Sequence, residues 1–291
     1  MRILVISDLH YETGKRRFHF PGMDEAKSLP WLYDTMDRVN PNAIIILGDT
    51  GSSMTRQDWD QLVAKYTVYA LYGNHDYYHM MKRIRNVDGT PMLMRDGEIK
   101  ELDGLRFGFI NGIVTHTGKQ KKGVPRKTPE QFIDVAKSMH HSIDFLCTHE
   151  SPPVMLYRKK LLTSENVLAA KVAADVAEPK ITLSGHLGFG PYTVAPIIDE
   201  SNILSVRLDS DQRNKGYAVI NTRNRGIVLY EDTQPKYKLR IPANKRELAD
   251  IIANADRFNA GHHNTFASVL RTAETEKNGI RNSVHKIAVP R

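Results

Sequence analysis

Val68-Tyr69-Ala70-Leu71-Tyr72-Gly73-Asn74-His75-Asp76 is the stretch that decides the fold. Its first five residues are apolar and rich in β-branched and aromatic side chains, which reads as a buried strand. Gly73 breaks that strand, and three side chains able to bind metal or carry protons follow at once. A sheet interior gains nothing from such a trio, whereas a site at a strand's carboxyl end can use all of it. Asn-His-Asp also makes a good turn, so its weight depends on how the other strands end.

Toward the N-terminus the same pattern recurs. Ala43-Ile44-Ile45-Ile46-Leu47 is a second apolar strand and ends in Gly48-Asp49. Between the two strands, Trp59, Leu62, Val63 and Tyr66 mark one face of a helix. The chain opens with Arg2-Ile3-Leu4-Val5-Ile6, which lacks polar alternation and so is expected to be buried on both faces. It ends in Ser7-Asp8-Leu9-His10. Residues two apart in an extended chain face the same way, so Asp8 and His10 should point to one spot beyond the strand. An oxygen and a nitrogen ligand at that spacing suit Mn²⁺, Fe or Zn²⁺ better than Ca²⁺. A basic loop with Lys15, Arg16, Arg17 and His19 follows, then a helix over about 26–39. Strand, helix, strand, helix, strand implies right-handed crossovers and a largely parallel sheet in an α/β fold.

Toward the C-terminus, Asp103-Gly104 joins strands at Glu98–Leu102 and Leu105–Ile110 in a hairpin. A polar loop over 115–129 carries His116, Lys119, Lys121, Lys122, Arg126 and Lys127, and a helix is expected near 129–139. Ile143–Cys147 is a strand ending in Thr148-His149-Glu150. Ser164 is placed to cap a helix carrying Val167, Leu168, Val172 and Val176. Ile181-Thr182-Leu183 then ends in Ser184-Gly185-His186-Leu187-Gly188, and antiparallel strands including 217–221 and 227–231 follow. Five apolar strands thus end in Asp8/His10, Asp49, Asn74/His75, His149 and His186. In open α/β sheets the ligand crevice lies at that edge.

Composition narrows the class. The 291 residues are 41% hydrophobic and 25% charged, as in an ordinary globular protein of one large domain or a domain with an appendage. The first strand runs straight into Asp8 and is not a signal peptide, and no apolar run reaches the roughly 18 residues of a membrane span. The single Cys147 excludes an internal disulfide framework and fits a reducing compartment, so a cytoplasmic location is expected. The net charge of +8 favours phosphate-bearing or other anionic partners.

In the order Asp8-Leu9-His10, Gly48-Asp49, Gly73-Asn74-His75-Asp76, Thr148-His149 and Gly185-His186, the chain resembles the calcineurin-like metallophosphoesterases. The resemblance covers most of the first 230 residues. It implies a four-layer αββα sandwich of two mixed sheets between helices, with a catalytic domain over 1–235. It also implies two divalent ions, with Mn²⁺ favoured over Fe, Zn²⁺ or Mg²⁺. Asp49 would bridge them, Asp8 and His10 would serve the first, and Asn74, His149 and His186 the second. A metal-bound hydroxide would attack a phosphodiester or phosphomonoester. His75 would protonate the leaving oxygen, and Asp76 would orient its imidazole.

One position departs from that family's Gly-His-x-His pattern, because Gly188 stands where the second His would supply the first ion's remaining nitrogen. Three readings stay open. The first ion is loosely held by Asp8, His10, Asp49 and water; or His116 or Tyr192 substitutes; or the chain works with one ion or is a binding and assembly module on the same fold. The resemblance implies a phosphate-ester substrate; the basic loops and Tyr11, Tyr77 and Tyr78 suggest a nucleotide or nucleic acid, beside the plainer reading of solvated loops and tyrosines packing the sheet edge. Residues 236–291 lie outside the resemblance. There Leu248, Ile251, Ile252 and Ala255, then Phe266, Val269, Leu270 and Ala273, predict a helical extension with a polar tail, suited to packing or to homo-oligomer formation. His262-His263 is read as incidental.

Overall fold

The computed structural model describes residues 1–14, 24–121, 123–154, 162–188, 190–198, 202–244 and 246–251. Among these, two six-stranded mixed sheets lie face to face between helices. The first sheet has the order β12-β11-β10-β1-β2-β3. Its parallel centre is β1 (Arg2–Ile6), β2 (Ala43–Ile46) and β3 (Thr67–Ala70), in the register Val5↔Ile45↔Tyr69. Its antiparallel half is β10 (Gly216–Asn221), β11 (Gly226–Glu231) and β12 (Gln234–Arg240). The second sheet has the order β4-β5-β6-β7-β9-β8. Here β4 (Ile99–Leu102) and β5 (Leu105–Ile110) form the expected hairpin, with Asp103 and Gly104 at φ 52° and 81°. Strands β6 (Phe145–Thr148), β7 (Ile181–Ser184) and β9 (Leu204–Leu208) continue in parallel, and β8 (Tyr192–Pro196) closes the edge antiparallel to β9.

The uninterrupted apolar strands are explained by three cores. Ile3, Val5 and Ile45 of the first sheet meet Phe107, Phe145, Ile181 and Val206 of the second in a central layer. Leu4, Ile6, Ile44 and Ile46 point the other way, onto helices α1 (Ser28–Val39) and α2 (Arg56–Lys65) through Leu32, Met36, Trp59 and Leu62. On the far side, Ile110 and Leu146 pack on α4 (Pro129–Lys137) and α5 (Glu165–Ala177) through Phe132, Ala170 and Ala174. Alternate residues of one strand therefore fill two different apolar layers, and neither face can be polar. Thr55 and Thr128 close capping boxes at the starts of α2 and α4. Ser164 occupies the N-cap position of α5.

Some expectations shift. Regular pairing of β3 ends at Ala70, although Leu71 N–H still donates to Ile46 O at 2.7 Å. A short helix α3 (Tyr78–Met81) follows the Asn-His-Asp turn. Strand β12 runs across the division expected between 235 and 236, and Leu239, Ile241 and Leu248 join the central core. Residues 246–251 are helical, while the rest of the expected extension, His262-His263 and the Lys15–His19 loop lie outside the described residues.

Candidate metal centre

Strands β1, β2 and β3 of one sheet and β6 and β7 of the other end at a common edge, and their pairing continues into the loops beyond. Asp8 N donates to Gly48 O at 3.0 Å, His10 N to Asp49 O at 3.0 Å, and Gly185 N to His149 O at 3.2 Å. These bonds tie the loops to one another just beyond the strand ends. Their backbone is also unusual, with Asp8, His10, Asp49 and His186 at φ 55°, 48°, 51° and 67°. Left-handed non-glycine residues are uncommon, and a cluster of four at one edge marks a site held by its surroundings. It also changes how Asp8 and His10 converge. They meet through left-handed turns beyond Ile6 rather than through the alternation of an extended strand.

Two sets of ligand atoms result, each with all members within 4.8 Å of one another. One is Asp8, His10 and Asp49; the other is Asp49, His149 and His186. Asp49 belongs to both. In the first set, His10 Nε2 lies 3.6 Å from Asp8 Oδ1, and Asp8 Oδ2 accepts from Ser7 Oγ at 2.6 Å and His186 N at 2.8 Å. In the second, His149 Nε2 lies 3.3 Å from Asp49 Oδ2 and 3.2 Å from His186 Nδ1. His149 Nδ1 donates to Leu47 O at 2.9 Å, which turns Nε2 toward Asp49. Glu150, buried behind the pair, holds Oε2 4.0 Å from His186 Nε2.

Close backbone approach makes this packing possible. A Cβ on Gly73 would fall 2.2 Å from Asp49 Oδ1 and 2.6 Å from His149 Nε2; one on Gly185 would fall 2.2 Å from Asp8 Oδ2. Only glycine fits at either place.

The electrostatics are those of a site that calls for cations. Burial disfavours a charge on His10, but its bond to Asp8 and the charges of Asp49, Asp8 and Asp209 outweigh it and raise its pKa to about 9. His149 is likewise penalised by burial yet raised to about 10, chiefly by Asp49. Asp49 is held far below the usual carboxylate range by His149, against the penalty of burial. Asn74 Oδ1 is buried and has no hydrogen-bond partner among the described residues. A buried amide oxygen left bare costs about 1–3 kcal/mol, unless something other than the polypeptide satisfies it. Oxygen and imidazole donors with one orphaned amide oxygen fit a pair of divalent cations.

His75 donates its backbone N–H to Asp49 Oδ1 at 2.8 Å, and its ring lies 5.0 Å from that of His10, edge to face. Asp76 is bound on both oxygens. Its Oδ2 accepts from Asp49 N and Gly73 N at 2.8 and 2.7 Å, and its Oδ1 from Thr50 N, Thr50 Oγ1 and Gly51 N at 2.7, 2.5 and 3.3 Å. Through these bonds Asp76 ties together the loops after β2 and β3. Neither residue suggested as a substitute for a ligand at 188 falls in these two ligand sets among the described residues. His116 is exposed and bonds Glu165 at 3.2 Å, and Tyr192 packs on the central core.

Sequence reasoning missed Asp209, a buried carboxylate just after β9. It is pushed up to about 7 by burial and by the charges of Asp8 and Asp211. Leu204–Leu208 carries Ser205 and Arg207 and does not read as an apolar strand, so the acid at its end raised no signal.

Residues 1–188 match the family model described as calcineurin-like phosphoesterase. Among solved structures, the chain is similar to a dimetal phosphatase from Danio rerio at 12% identity and TM-score 0.53, over 83% of this chain and 99% of that one. It is also similar to the protein TT1561 of Thermus thermophilus at 11% identity and TM-score 0.50, over 79% and 98% of the two chains. These likenesses are of fold. A search of curated proteins gives no match.

Proposed function

Because the chain belongs to the calcineurin-like phosphoesterase family and is thereby a metal-dependent phosphoric ester hydrolase, we propose that it works with two ions sharing Asp49. Asp8 and His10 join Asp49 on the first; Asn74, His149 and His186 hold the second. The orphaned Asn74 Oδ1, beside two ligand sets with one aspartate in common, carries this reading. Mn²⁺ suits a mixture of carboxylate, amide and imidazole donors. When bound, paired divalent ions make a water acidic enough to be nucleophilic near neutral pH and neutralise phosphoryl charge.

The chain's own residues supply the rest. Asp76 and the glycine approaches fix Asp49, and Leu47 O fixes the tautomer and direction of His149. His75 is assigned as proton donor to the leaving oxygen. It is held at the site through Asp49, and imidazole titrates near neutrality, as that task requires. The substrate is a phosphodiester or phosphomonoester. Tyr77, two residues after His75 and 54% exposed, offers a ring on which a nucleobase could stack. Lys127 is unsuited to contacting substrate, since its ammonium is bound to Asp96 at 2.9 Å and Asn111 O at 2.8 Å.

The test is hydrolysis of bis(4-nitrophenyl) phosphate and 4-nitrophenyl phosphate by metal-stripped protein, with and without Mn²⁺. Hydrolysis of at least one ester only when Mn²⁺ is present is the expected result. In His75→Ala, kcat should fall by about 10²-fold or more with bound metal unchanged. Inactivity of the Mn²⁺-loaded protein toward both esters would contradict the proposal, and full activity in His75→Ala would remove His75 as the acid.

A further inference from the structure

Among the described residues the first ligand set is Asp8, His10 and Asp49, and Gly188 has no side chain to add to it. The space its missing side chain would enter is not empty of chemistry. A Cβ there would lie 3.4 Å from Asp209 Oδ2 and 3.5 Å from Arg213 Nη2, both ordinary contacts, and Gly188 itself is exposed. Solvent therefore reaches a volume bordered by a carboxylate oxygen.

Asp209 is fixed in place there by the chain. Its N–H donates to Pro191 O at 3.0 Å and its carbonyl accepts from Gly216 N at 2.7 Å. Its Oδ2 accepts from Asn214 Nδ2 at 2.8 Å, and its Oδ1 from Asp211 N at 3.3 Å. The next residue binds the loop to the end of β1, with Ser210 N donating to Ser7 O at 2.7 Å and Ser7 N to Ser210 Oγ at 3.2 Å. Asp209 is thereby held beside Asp8, and the two carboxylates feel each other's charge. Asp209 is not one of the three side chains whose ligand atoms lie within 4.8 Å of one another there, which makes a bridging water the shorter link.

We propose that Asp209 completes the first metal site through a water: its carboxylate anchors the water that takes the coordination position an imidazole at 188 would fill. The proposal rests on the two-ion reading above. It gives the first site one imidazole and three acidic side chains, an oxygen-rich set that favours Mn²⁺ or Mg²⁺ over Zn²⁺. Each oxygen of Asp209 has a lone pair left after its one protein hydrogen bond, which a water can use.

The experiment is a calorimetric titration of metal-stripped protein with Mn²⁺ alone, on the wild type, Asp209→Asn, Gly188→His and the double variant. The wild type should bind two ions. Asp209→Asn should weaken one of them by about 10–100-fold, the usual effect of losing an outer partner. Gly188→His should change the wild type by less than about threefold, yet restore the weakened step in Asp209→Asn by about tenfold or more, a non-additivity that marks a shared position. Two unchanged Mn²⁺ steps in Asp209→Asn would overturn the proposal and leave the two-ion reading intact. No Mn²⁺ binding by the wild type would overturn both. Should Asp209→Asn fail to fold, Gly188→His alone still decides, because a tenfold gain there would mean that the position had been unserved.

Discussion

At the scale of single residues, the site is an exchange of protons for metal. His10 and His149 have pKa values raised to about 9 and about 10 by Asp8 and Asp49, so both carry a proton at neutral pH when no ion is bound. A raised imidazole stabilises the fold fully below its unfolded value near 6.5, and that contribution is lost as pH rises through 9 and 10. The metal-free protein is therefore predicted to lose at least about 5 °C of Tm between pH 7 and pH 10. Mn²⁺ needs the neutral rings, so its binding at pH 7 should release about two protons, read from calorimetry in buffers of different ionisation enthalpy. A Tm that rises across that range, or binding without proton release, would contradict this account. Residue identity was largely legible here, since Asp8, His10, Asp49, His149 and His186 are chemically distinctive beside apolar runs. Backbone conformation was not. A left-handed φ at four non-glycine positions has no sequence signature.

At the scale of elements, the site consists of loops that must end their strands in register. Asp76 is the part that ties two of them. It accepts from backbone N–H groups on both sides of β3 and from Thr50 Oγ1. Removing its carboxylate leaves several buried donors bare, at about 1–3 kcal/mol each. Asp76→Ala is predicted to lower unfolding free energy by about 3 kcal/mol or more in urea denaturation, and to weaken Mn²⁺ binding together with activity. Loss of activity with stability and metal binding intact would contradict this tying role and point to Asp76 acting through the His75 ring. The sequence showed that Asp76 belonged to the site because it follows His75 directly. Its role depends on which N–H groups the turn turns inward, and that is decided by the conformations of Gly48 to Gly51 and Gly73 rather than by residue type. Asp209 was hidden for a related reason. Strand β9 is fully buried yet contains Ser205 and Arg207, the latter bonded to Thr193 and Gly190, so hydropathy does not disclose it.

At the scale of the whole molecule, the centre spans the seam between two sheets. Asp8, His10, Asp49 and Asn74 come from the edge of the first sheet, and His149, His186 and Asp209 from the second. Hydrogen bonds cross that seam from His149 to Leu47, from His186 to Asp8 and between Ser7 and Ser210. The apolar layer of Val5, Ile45, Phe145 and Ile181 sets the spacing across which they form. The alternation of strands and helices disclosed the parallel halves, because each strand is apolar throughout. How the two sheets face each other follows from which side of each strand meets helix and which meets sheet, and purely apolar strands carry no mark of that.

On the two-ion reading, Asp49 lies between two cations held from both sheets. Anomalous diffraction at the manganese edge, from crystals of the wild-type protein soaked in Mn²⁺, addresses it directly. Two peaks about 3.5–4 Å apart are expected, with Asp49 between them, one beside Asp8 and His10 and the other beside Asn74, His149 and His186. No peak, or a peak remote from Asp49, would contradict that reading.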